Sequence, residues 1–251
     1  MKTDSSIFIV GAVFQEIKPI IEKLKAIRQT TIGKRPVFCG KLFNQSVIIV
    51  QSGIGMLNAV QASTAVIEKM PVHLIMNTGC AGAFPDAGID IGDIGIATKE
   101  TDIHSGIESE SPDGPIIPLP MPLIQTETAK YYGSYPVSKQ YCNMAYDILS
   151  TELKLEKMRA KQFPFITVST ITTSAQQTNR LFRAYHAGME NMEGAGLAHV
   201  ALQYHTPFVE IRAASNFVGE RDKKNWQLKK AFEHSATAML IFFENLDKSI
   251  L

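Results

Sequence analysis

Polar and glycine residues stand where apolar runs that predict buried strands give way to predicted helices or turns. Three such segments are Val13-Phe-Gln-Glu16, Asn77-Thr-Gly-Cys-Ala-Gly-Ala83 and Arg212-Ala-Ala-Ser-Asn216. In a fourth segment, Met189 to Gly196, the carboxylate of Glu193 precedes a stretch rich in alanine and glycine that predicts a helix. Because ligands of open α/β sheets gather at the carboxyl ends of strands, these segments are candidates for a ligand site.

Taken singly, each of these features also has a structural explanation. Glu16 and Glu193 stand where a carboxylate complements a helix dipole, a placement worth about 0.3–1 kcal/mol. Gly79 and Gly82 are residue types that turns require, and Trp226 can be explained as a core or packing aromatic. The individual residues therefore do not decide between a structural and a chemical role.

Several other chemistries are disfavoured by the motifs. The segment Gly79-Cys-Ala-Gly82 lacks the G-x-G-x-x-G pattern of a dinucleotide site, and Ser215 lacks the G-x-S-x-G elbow of an α/β-hydrolase. The histidines are scattered and form no H-E-x-x-H motif. The three cysteines, Cys39, Cys80 and Cys142, have neither a disulfide framework nor a zinc-ligand spacing. We therefore expect no cofactor and no metal.

Composition is that of an ordinary soluble globular chain. Of 251 residues, 45% are hydrophobic and 20% are charged, and the formal net charge is +1. No basic run is longer than two residues, as in Lys223-Lys224, so nothing suggests binding to nucleic acid or to a membrane surface. The short apolar run near the N-terminus, with Asp4 before it, does not resemble a signal peptide. We expect a cytoplasmic protein.

Strand and helix patterns alternate along the whole chain. The continuous apolar run at 7–13 predicts a strand buried on both faces, and apolar residues from Phe14 to Ile27 recur at helical spacing. Further strands are predicted at 36–43, 46–51, 74–78, 94–101, 165–173 and 208–214. A glycine-rich turn is predicted after residue 78. Helices are predicted after Gly55, at 143–153 and on both sides of the last strand. With no repeat and no linker, this alternation predicts an α/β protein with a single three-layer domain over 1–251.

One segment departs from this alternation. From His104 to Pro122 the chain becomes polar and proline-rich, with five prolines among the eleven residues 112–122. Since connections of this length are usually functional or mobile, we predict a long loop with a role at the site.

Considered together, the candidate segments resemble the purine nucleosidase/phosphorylase superfamily. The matching motifs are Ile9-Val-Gly-Ala-x-x-x-Glu16, Ser52-Gly-Ile-Gly55, Ile75-Met-Asn-Thr-Gly-x-Ala-Gly82, Met192-Glu-Gly-Ala195 and Val209-x-Ile-Arg-Ala-x-Ser-Asn216. They extend from the first strand to the last, and they are most similar to the hydrolase branch that contains methylthioadenosine/S-adenosylhomocysteine nucleosidase. Two further segments resemble the futalosine hydrolases of menaquinone biosynthesis, namely Glu100-Thr-Asp102 through Glu108 to Asp113-Gly114, and Ser215 through Arg221-Asp222 to Trp226. The resemblance implies a central mixed β-sheet flanked by helices.

The resemblance also assigns roles to individual residues. It implies that Glu16 orients and deprotonates the water that attacks the anomeric carbon, and that Glu193 accepts hydrogen bonds from the ribose hydroxyls while Met192 packs on the sugar. The residues that match the pocket around the base and the 5′ end are Cys80, Ala81, Gly82, Val13, Ile54 and Phe217. Because a serine is common at the position of Cys80, a hydroxyl role is not carried over there. No metal takes part.

The nucleophile is predicted from the absence of a phosphate site. Phosphorylases of the superfamily bind phosphate through arginines, whose planar donors suit that anion. One of those arginines stands where this chain has Asn77, and the loop after the first strand carries Phe14-Gln-Glu16 in place of a basic residue. The sequence therefore favours water and hydrolysis.

Asn216 predicts the base that is released. Nucleosidases that release adenine have an aspartate at this position, whereas an asparagine offers an NH2 donor to a 6-oxo group and a carbonyl to N7–H. A carboxylate facing O6 would leave buried acceptors unpaired, at about 1–3 kcal/mol. We therefore predict a 6-oxopurine nucleoside, with futalosine, which carries hypoxanthine, as the leading substrate. Three alternatives stay open: a methylthioadenosine/S-adenosylhomocysteine nucleosidase that tolerates Asn216, a 6-oxopurine nucleoside phosphorylase, and a non-catalytic nucleoside-binding protein.

The resemblance predicts assembly as well. In the nucleosidase branch, the segment after the fifth strand reaches into the site of a partner subunit, and here that segment corresponds to the start of the His104–Pro122 loop. We therefore expect a homodimer or a higher homo-oligomer.

Overall fold

The computed structural model describes residues 5–43, 45–111, 114–154 and 156–246. Asp113, which belongs to one of the futalosine hydrolase-like segments, lies outside the described residues. The strands are β1 (Ser6–Gly11), β2 (Lys25–Ile32), β3 (Arg35–Leu42), β4 (Gln45–Gln51), β5 (Val72–Ala83), β6 (Ile94–Asp102), β7 (Ile124–Gln125), β8 (Lys130–Tyr131), β9 (Ser134–Pro136), β10 (Ala160–Thr167), β11 (Met189–Asn191) and β12 (Phe208–Phe217). The α-helices are α1 (Phe14–Ile21), α2 (Met56–Ile67), α3 (Lys139–Glu152), α4 (Ala175–Tyr185), α5 (Gly194–Gln203) and α6 (Leu228–Glu244).

A mixed sheet organises the fold. Its strand order is β11-β10-β6-β12-β5-β1-β4-β3-β2, and β9 pairs with β6. The central neighbours β4, β1, β5 and β12 run parallel, whereas β6 is antiparallel to β12. The short β11 also pairs with the end of β5, which joins five strands into a closed ring. The carboxyl ends of the parallel strands β1, β5 and β12 lie at one edge of this sheet, and the predicted α/β class with a central mixed sheet is confirmed.

Helices cover both faces of the sheet, giving three layers. Helices α1, α3 and α6 pack on one face with Ile7, Ile9, Leu74 and other buried aliphatic side chains. Helices α2 and α5 pack on the other face with Phe8 and its neighbours. The side chains of β1 alternate between these two cores, which explains why its sequence is apolar at every position from 7 to 10.

The helix predicted from Phe14 to Ile27 is shorter than expected. Helix α1 ends at Ile21, and the following residues form the exposed edge strand β2. Ile27 is 53% exposed and belongs to no buried helix face. The helical spacing of the apolar residues therefore continues by chance beyond the end of α1. The β-branched residues Thr30, Thr31 and Ile32 favour the strand.

Three other expectations also change. A turn was predicted after residue 78, but β5 continues there to Ala83. The glycines of this segment do not reverse the chain; they leave room for side chains of neighbouring elements to pack against the strand. Strand β10 ends at Thr167, six residues before its predicted end, because residues 168–173 form an irregular segment. Helix α4 was not predicted, since its mean hydropathy is low and few of its side chains are buried.

Within the ranges described, no helix is long and apolar enough to cross a membrane.

Candidate active site

A cavity of about 250 Å³ opens where β5, β11 and β12 end. Its lining consists of Ala12, Val13, Glu16, Ile54, Cys80, Ala81, Gly82, Val168, Ile171, Glu190, Asn191, Met192, Glu193, Arg212, Ser215, Asn216, Trp226, Leu228 and Phe232. Nine of the ten residues that the sequence assigned to a site lie in this set. The exception is Phe217, which is partly exposed and does not line the cavity.

Glu16 is fixed by the backbone on both sides of its carboxylate. It occupies the first turn of α1, where Oε2 accepts hydrogen bonds from the N–H groups of Ala12 and Val13 at 2.7 and 3.1 Å. Oε1 accepts from the N–H of Cys80 at 2.9 Å. Burial raises the pKa of Glu16, an effect opposed by the nearby Arg212 and by the backbone donors. The carboxylate is thus held rigidly between the ends of β1 and β5.

Gly79 makes this position of Glu16 possible. A Cβ at residue 79 would overlap the Glu16 carboxylate, and the backbone there has φ +141°, which L side chains rarely adopt. The glycine that resembled a turn residue in the sequence is therefore a point of close approach between β5 and the catalytic candidate.

Arg212 forms the centre of a buried ion cluster next to the cavity. Its Nη2 donates to Glu193 Oε2 at 3.1 Å, its Nε to Glu210 Oε1 at 2.8 Å, and its Nη1 to the carbonyl of Cys80 at 3.1 Å. Burial alone would lower the pKa of Arg212, but the facing carboxylates, Glu210 first, raise it, so the guanidinium stays charged. The other oxygen of Glu193, Oε1, accepts from the N–H of Gly55 at 2.9 Å.

A further buried carboxyl, that of Glu100, lies next to Glu210. Burial and the adjacent Glu210 carboxyl raise the pKa of Glu100 well above its usual range, which favours the protonated form of Glu100. That proton can satisfy Glu210 Oε2, which otherwise has no hydrogen-bond partner among the described residues. A Cβ at Gly194 would overlap both carboxyls, so glycine is required at the start of α5.

Asn191 connects this cluster to the helix that carries Glu193. Its Nδ2 donates to Glu100 Oε1 at 2.7 Å, while its Oδ1 accepts from the N–H groups of Glu193 and Gly194 at 2.9 and 2.7 Å. The first N–H groups of a helix lack intrahelical partners, and Asn191 satisfies two of these groups. The position of Glu193 is therefore set through both its backbone and its side chain.

Cys80 has the properties of a neutral pocket residue. Burial, followed by the nearby Glu16, raises the pKa of its thiol to about 12. Since the thiolate is the nucleophilic form of cysteine, Cys80 is unsuited to covalent catalysis at neutral pH.

Asn216 and Glu190 present polar groups on opposite sides of the cavity end. Asn216 Oδ1 accepts from the Ser215 hydroxyl at 2.7 Å, and its Nδ2 donates to the carbonyl of Phe217 at 3.0 Å. Glu190 accepts from the N–H and the hydroxyl of Thr172 at 2.9 and 2.5 Å. Only the first of these two residues was predicted to contact a ligand.

The sequence carried a signal for some residues that it did not assign to the site. Arg212 and Glu210 interrupt an otherwise apolar strand, and charged residues in such runs are rarely buried unless they are paired. Glu190 and Asn191 adjoin the predicted Met192-Glu193 pair. Trp226, which ends one of the futalosine hydrolase-like segments but was not assigned to the site, lines the cavity.

The loop at 104–122 does not line its own cavity in the part of it that is described. Instead it presents exposed apolar side chains, Ile107, Ile117 and Met121, and the first two residues pair as an isolated bridge.

Comparison with known families gives the class of this protein. A family model described as the phosphorylase superfamily matches residues 6–246, so the chain belongs to that superfamily. The 5′-methylthioadenosine/S-adenosylhomocysteine nucleosidase of Anoxybacillus flavithermus is 26% identical over 97% of this chain and 100% of its own. The predicted class, an N-glycosyl hydrolase of the nucleosidase family, agrees with both findings.

Solved structures share the fold. The 5′-methylthioadenosine/S-adenosylhomocysteine nucleosidase of Colwellia psychrerythraea, in complex with adenine, is 25% identical with a TM-score of 0.79, and the match covers 96% of this chain and 95% of the other. The futalosine hydrolase of Helicobacter pylori is 20% identical with a TM-score of 0.81, covering 98% and 100%. The second match, at this identity, speaks for the fold alone.

The close contact at Gly79 generates a prediction. We expect Gly79→Ala to displace the Glu16 carboxylate and to reduce kcat/KM by at least 100-fold, because small misplacements at a reacting centre have effects of about that size. Kinetics and thermal melting on the same preparation test this. The matched control is Gly88→Ala, also at positive φ but outside the cavity lining, where an added Cβ meets only the flexible end of Lys161 at 3.3 Å. Equal activities of the Gly79→Ala variant and the wild type would contradict the packing argument.

Proposed function

We propose that this chain hydrolyses the N-glycosidic bond of a 6-oxopurine nucleoside, with futalosine as the leading substrate. The observation that carries the proposal is a cavity with a rigidly held, buried carboxylate, Glu16, and with no lysine, arginine or histidine among its described lining residues left over to bind phosphate. The substrate class follows from the polar groups at the end of the cavity, and the reaction follows from the carboxylates.

Glu16 is the base in this proposal. A water between Glu16 and the ribose loses a proton to the carboxylate while its oxygen forms a bond to the anomeric carbon. The electron pair of the breaking glycosidic bond passes to the purine, which takes up a proton from solvent at N7 as it leaves, and Glu16 afterwards releases its proton to solvent. The pKa of Glu16, which burial raises, brings the base closer to the pH at which it works, where proton transfer is most efficient.

Glu193 binds the sugar. Its carboxylate, held by Arg212 and by the N–H of Gly55, has lone pairs left for the ribose hydroxyls. As positive charge develops on the sugar ring, a fixed carboxylate stabilises the transition state more than the ground state. Met192 lines the same wall and supplies an apolar surface for the ring.

The charge of the cavity favours water over phosphate. Among the described residues that line it, Arg212 is the only lysine, arginine or histidine, and its guanidinium already donates to Glu193, Glu210 and a carbonyl. Asn77 donates to Glu210 at 2.9 Å and is not part of the lining. Phosphate would therefore meet carboxylates and engaged donors.

Asn216 supports a 6-oxopurine. Its amide can donate to O6 and accept from N7–H of the departing base, which is the pattern that hypoxanthine and guanine require. At the 5′ end, Val13 and Ile54 line the cavity and offer an apolar surface for a substituent.

A second candidate is a methylthioadenosine/S-adenosylhomocysteine nucleosidase. It is favoured by the sequence relatives, among them the 5′-methylthioadenosine/S-adenosylhomocysteine nucleosidase of Anoxybacillus flavithermus. The test is to incubate the protein with futalosine, inosine and methylthioadenosine without phosphate and to identify the released base by chromatography. Release of hypoxanthine from futalosine at the highest kcat/KM supports the proposal, and preferential release of adenine establishes the second candidate.

The role of Glu16 predicts both a mutant and a pH profile. Glu16→Gln is expected to keep the fold and nucleoside binding but to lower kcat by roughly 10²–10⁴-fold, the usual contribution of a general base. Because Glu16 acts when ionised and burial raises its pKa, wild-type activity should be lost as the pH falls through a value above that of an ordinary glutamate. A near wild-type rate of the variant, or an acid limb at the ordinary glutamate pKa, would remove the assignment.

The role of Asn216 predicts a change in base preference. Asn216→Asp replaces the donor that faces O6 with an acceptor, so we expect the ratio of kcat/KM for hypoxanthine over adenine nucleosides to fall by roughly 10- to 100-fold. Matched nucleosides with the same 5′ group, measured on both proteins, give this ratio. If it does not change, Asn216 does not read the 6-position.

We further propose that the active form is at least a homodimer. The described part of the loop at 104–122 exposes apolar side chains without lining its own cavity, while Ile54, which lines the cavity, and the nearby Leu57 are exposed, Leu57 at 84%. A second copy can cover both surfaces. Sedimentation should find a dimer or larger, and Leu57→Glu should weaken association and activity together. A fully active monomer at assay concentration would contradict this.

A further inference from the structure

Three residues form one row across the end of the sheet. Gly82 of β5 pairs in register with Glu190 of β11 on one side and with Asn216 of β12 on the other. Residues in register on neighbouring strands project to the same face, and strands lie about 4.8 Å apart. The strands that carry Glu190 and Asn216 are therefore separated by roughly 10 Å, with a glycine between them.

This row creates a slot in the cavity. All three residues belong to its lining, and Gly82 has no side chain to fill the space between the other two. An added Cβ there would lie 3.1 Å from Val218 and 3.5 Å from Asn216 Nδ2. The slot has a floor of backbone, one wall with an amide and one wall with a carboxylate.

Glu190 has acceptor capacity to spare. The side chain is 6% exposed, and its two oxygens accept from the N–H and hydroxyl of Thr172. A carboxylate has about four lone-pair positions and no donor, so at least one position on each oxygen is left for another donor. Among the groups that a purine can offer, only an N–H or an NH2 satisfies it.

We propose that Glu190 reads the N1–H of a 6-oxopurine base, opposite the amide of Asn216. This deepens the proposed function and rests on it. In hypoxanthine and guanine N1 carries a hydrogen, whereas in adenine N1 is an acceptor. A carboxylate at this wall pairs with the first and repels the second, while Asn216 serves O6 and N7–H. Base selectivity is thereby divided between two residues.

A purely structural role for Glu190 makes a different prediction. Its bonds to Thr172 hold the irregular segment 168–173, of which Val168 and Ile171 line the cavity. If that were its only role, removing the carboxylate would disturb the cavity for every base alike. The base-reading role and the purely structural role of Glu190 are therefore distinguished by the ratio of the activities on hypoxanthine and adenine nucleosides. The activity on one nucleoside alone does not distinguish them.

The test uses Glu190→Gln and matched hypoxanthine and adenine nucleosides with the same 5′ group. The amide can rotate to offer either a carbonyl or an NH2, so selectivity should weaken: we expect the hypoxanthine-to-adenine ratio of kcat/KM to fall by roughly 10- to 100-fold. Glu190→Asp, which keeps the charge but withdraws it by one methylene, should lower the ratio less. Glu152→Gln, at an exposed residue of α3, controls for the charge change and should leave the ratio unaltered. An equal loss on both bases, or no change, overturns the proposal.

Binding of the free bases separates this inference from the proposed function. Calorimetry with hypoxanthine and adenine on the wild type and on Glu190→Gln should show hypoxanthine affinity falling in the variant while adenine affinity holds or rises. A wild type that binds adenine more tightly than hypoxanthine contradicts the 6-oxopurine function. A wild type that prefers hypoxanthine, with the same preference in the variant, contradicts only the role of Glu190.

Discussion

The site depends on the ion pairs and hydrogen bonds that the buried guanidinium of Arg212 makes with its neighbours. Moving a single ion out of water costs several kcal/mol even after the protein relaxes, so its partners have to be in place before the site is stable. Those partners are Glu210 from the same strand, Glu193 from the start of α5 and the carbonyl of Cys80 from β5. One cation thus ties together three elements, and it does so with donors that a phosphate would otherwise use.

The carboxyl groups around Arg212 outnumber it, and their surroundings differ. Glu16 and Glu193 line the cavity and accept from charged or backbone donors, whereas Glu100 adjoins Glu210, and burial together with that neighbour raises the pKa of Glu100 well above its usual range. This arrangement needs carboxyl groups close to main chain, and Gly79 and Gly194 provide the space. These two glycines are therefore needed to place the buried carboxyl groups, not to form turns of the chain.

The sequence predicted those parts of the fold and site that depend on local pattern. The apolar run of β1 and the position of Glu16 in the first turn of α1 follow from residues close in sequence. The edge strand β2 was missed because exposed strands lack the alternation that marks a buried face. Helix α4 was missed for a related reason, since it buries few side chains.

The missing parts of the site depend on pairings that only the fold creates. Arg212 meets the carbonyl of Cys80, a residue 132 positions away. Glu190 reaches the cavity because β11 pairs with the end of β5, and a strand of three residues leaves almost no pattern to detect. Phe217 does not line the cavity within this chain, because the strand carries Asn216 inward and its neighbour outward, and its predicted place at the 5′ end stays a prediction.

Hydrolysis at this site requires that Glu16 activate a water and that Arg212 be unavailable to phosphate. The most direct measurement is the turnover of a hypoxanthine nucleoside in phosphate-free buffer and in buffer with added phosphate, with the sugar product identified by mass spectrometry. We expect the same rate in both buffers and a free sugar as the product. A rate that requires phosphate, with a sugar 1-phosphate as the product, would contradict both requirements.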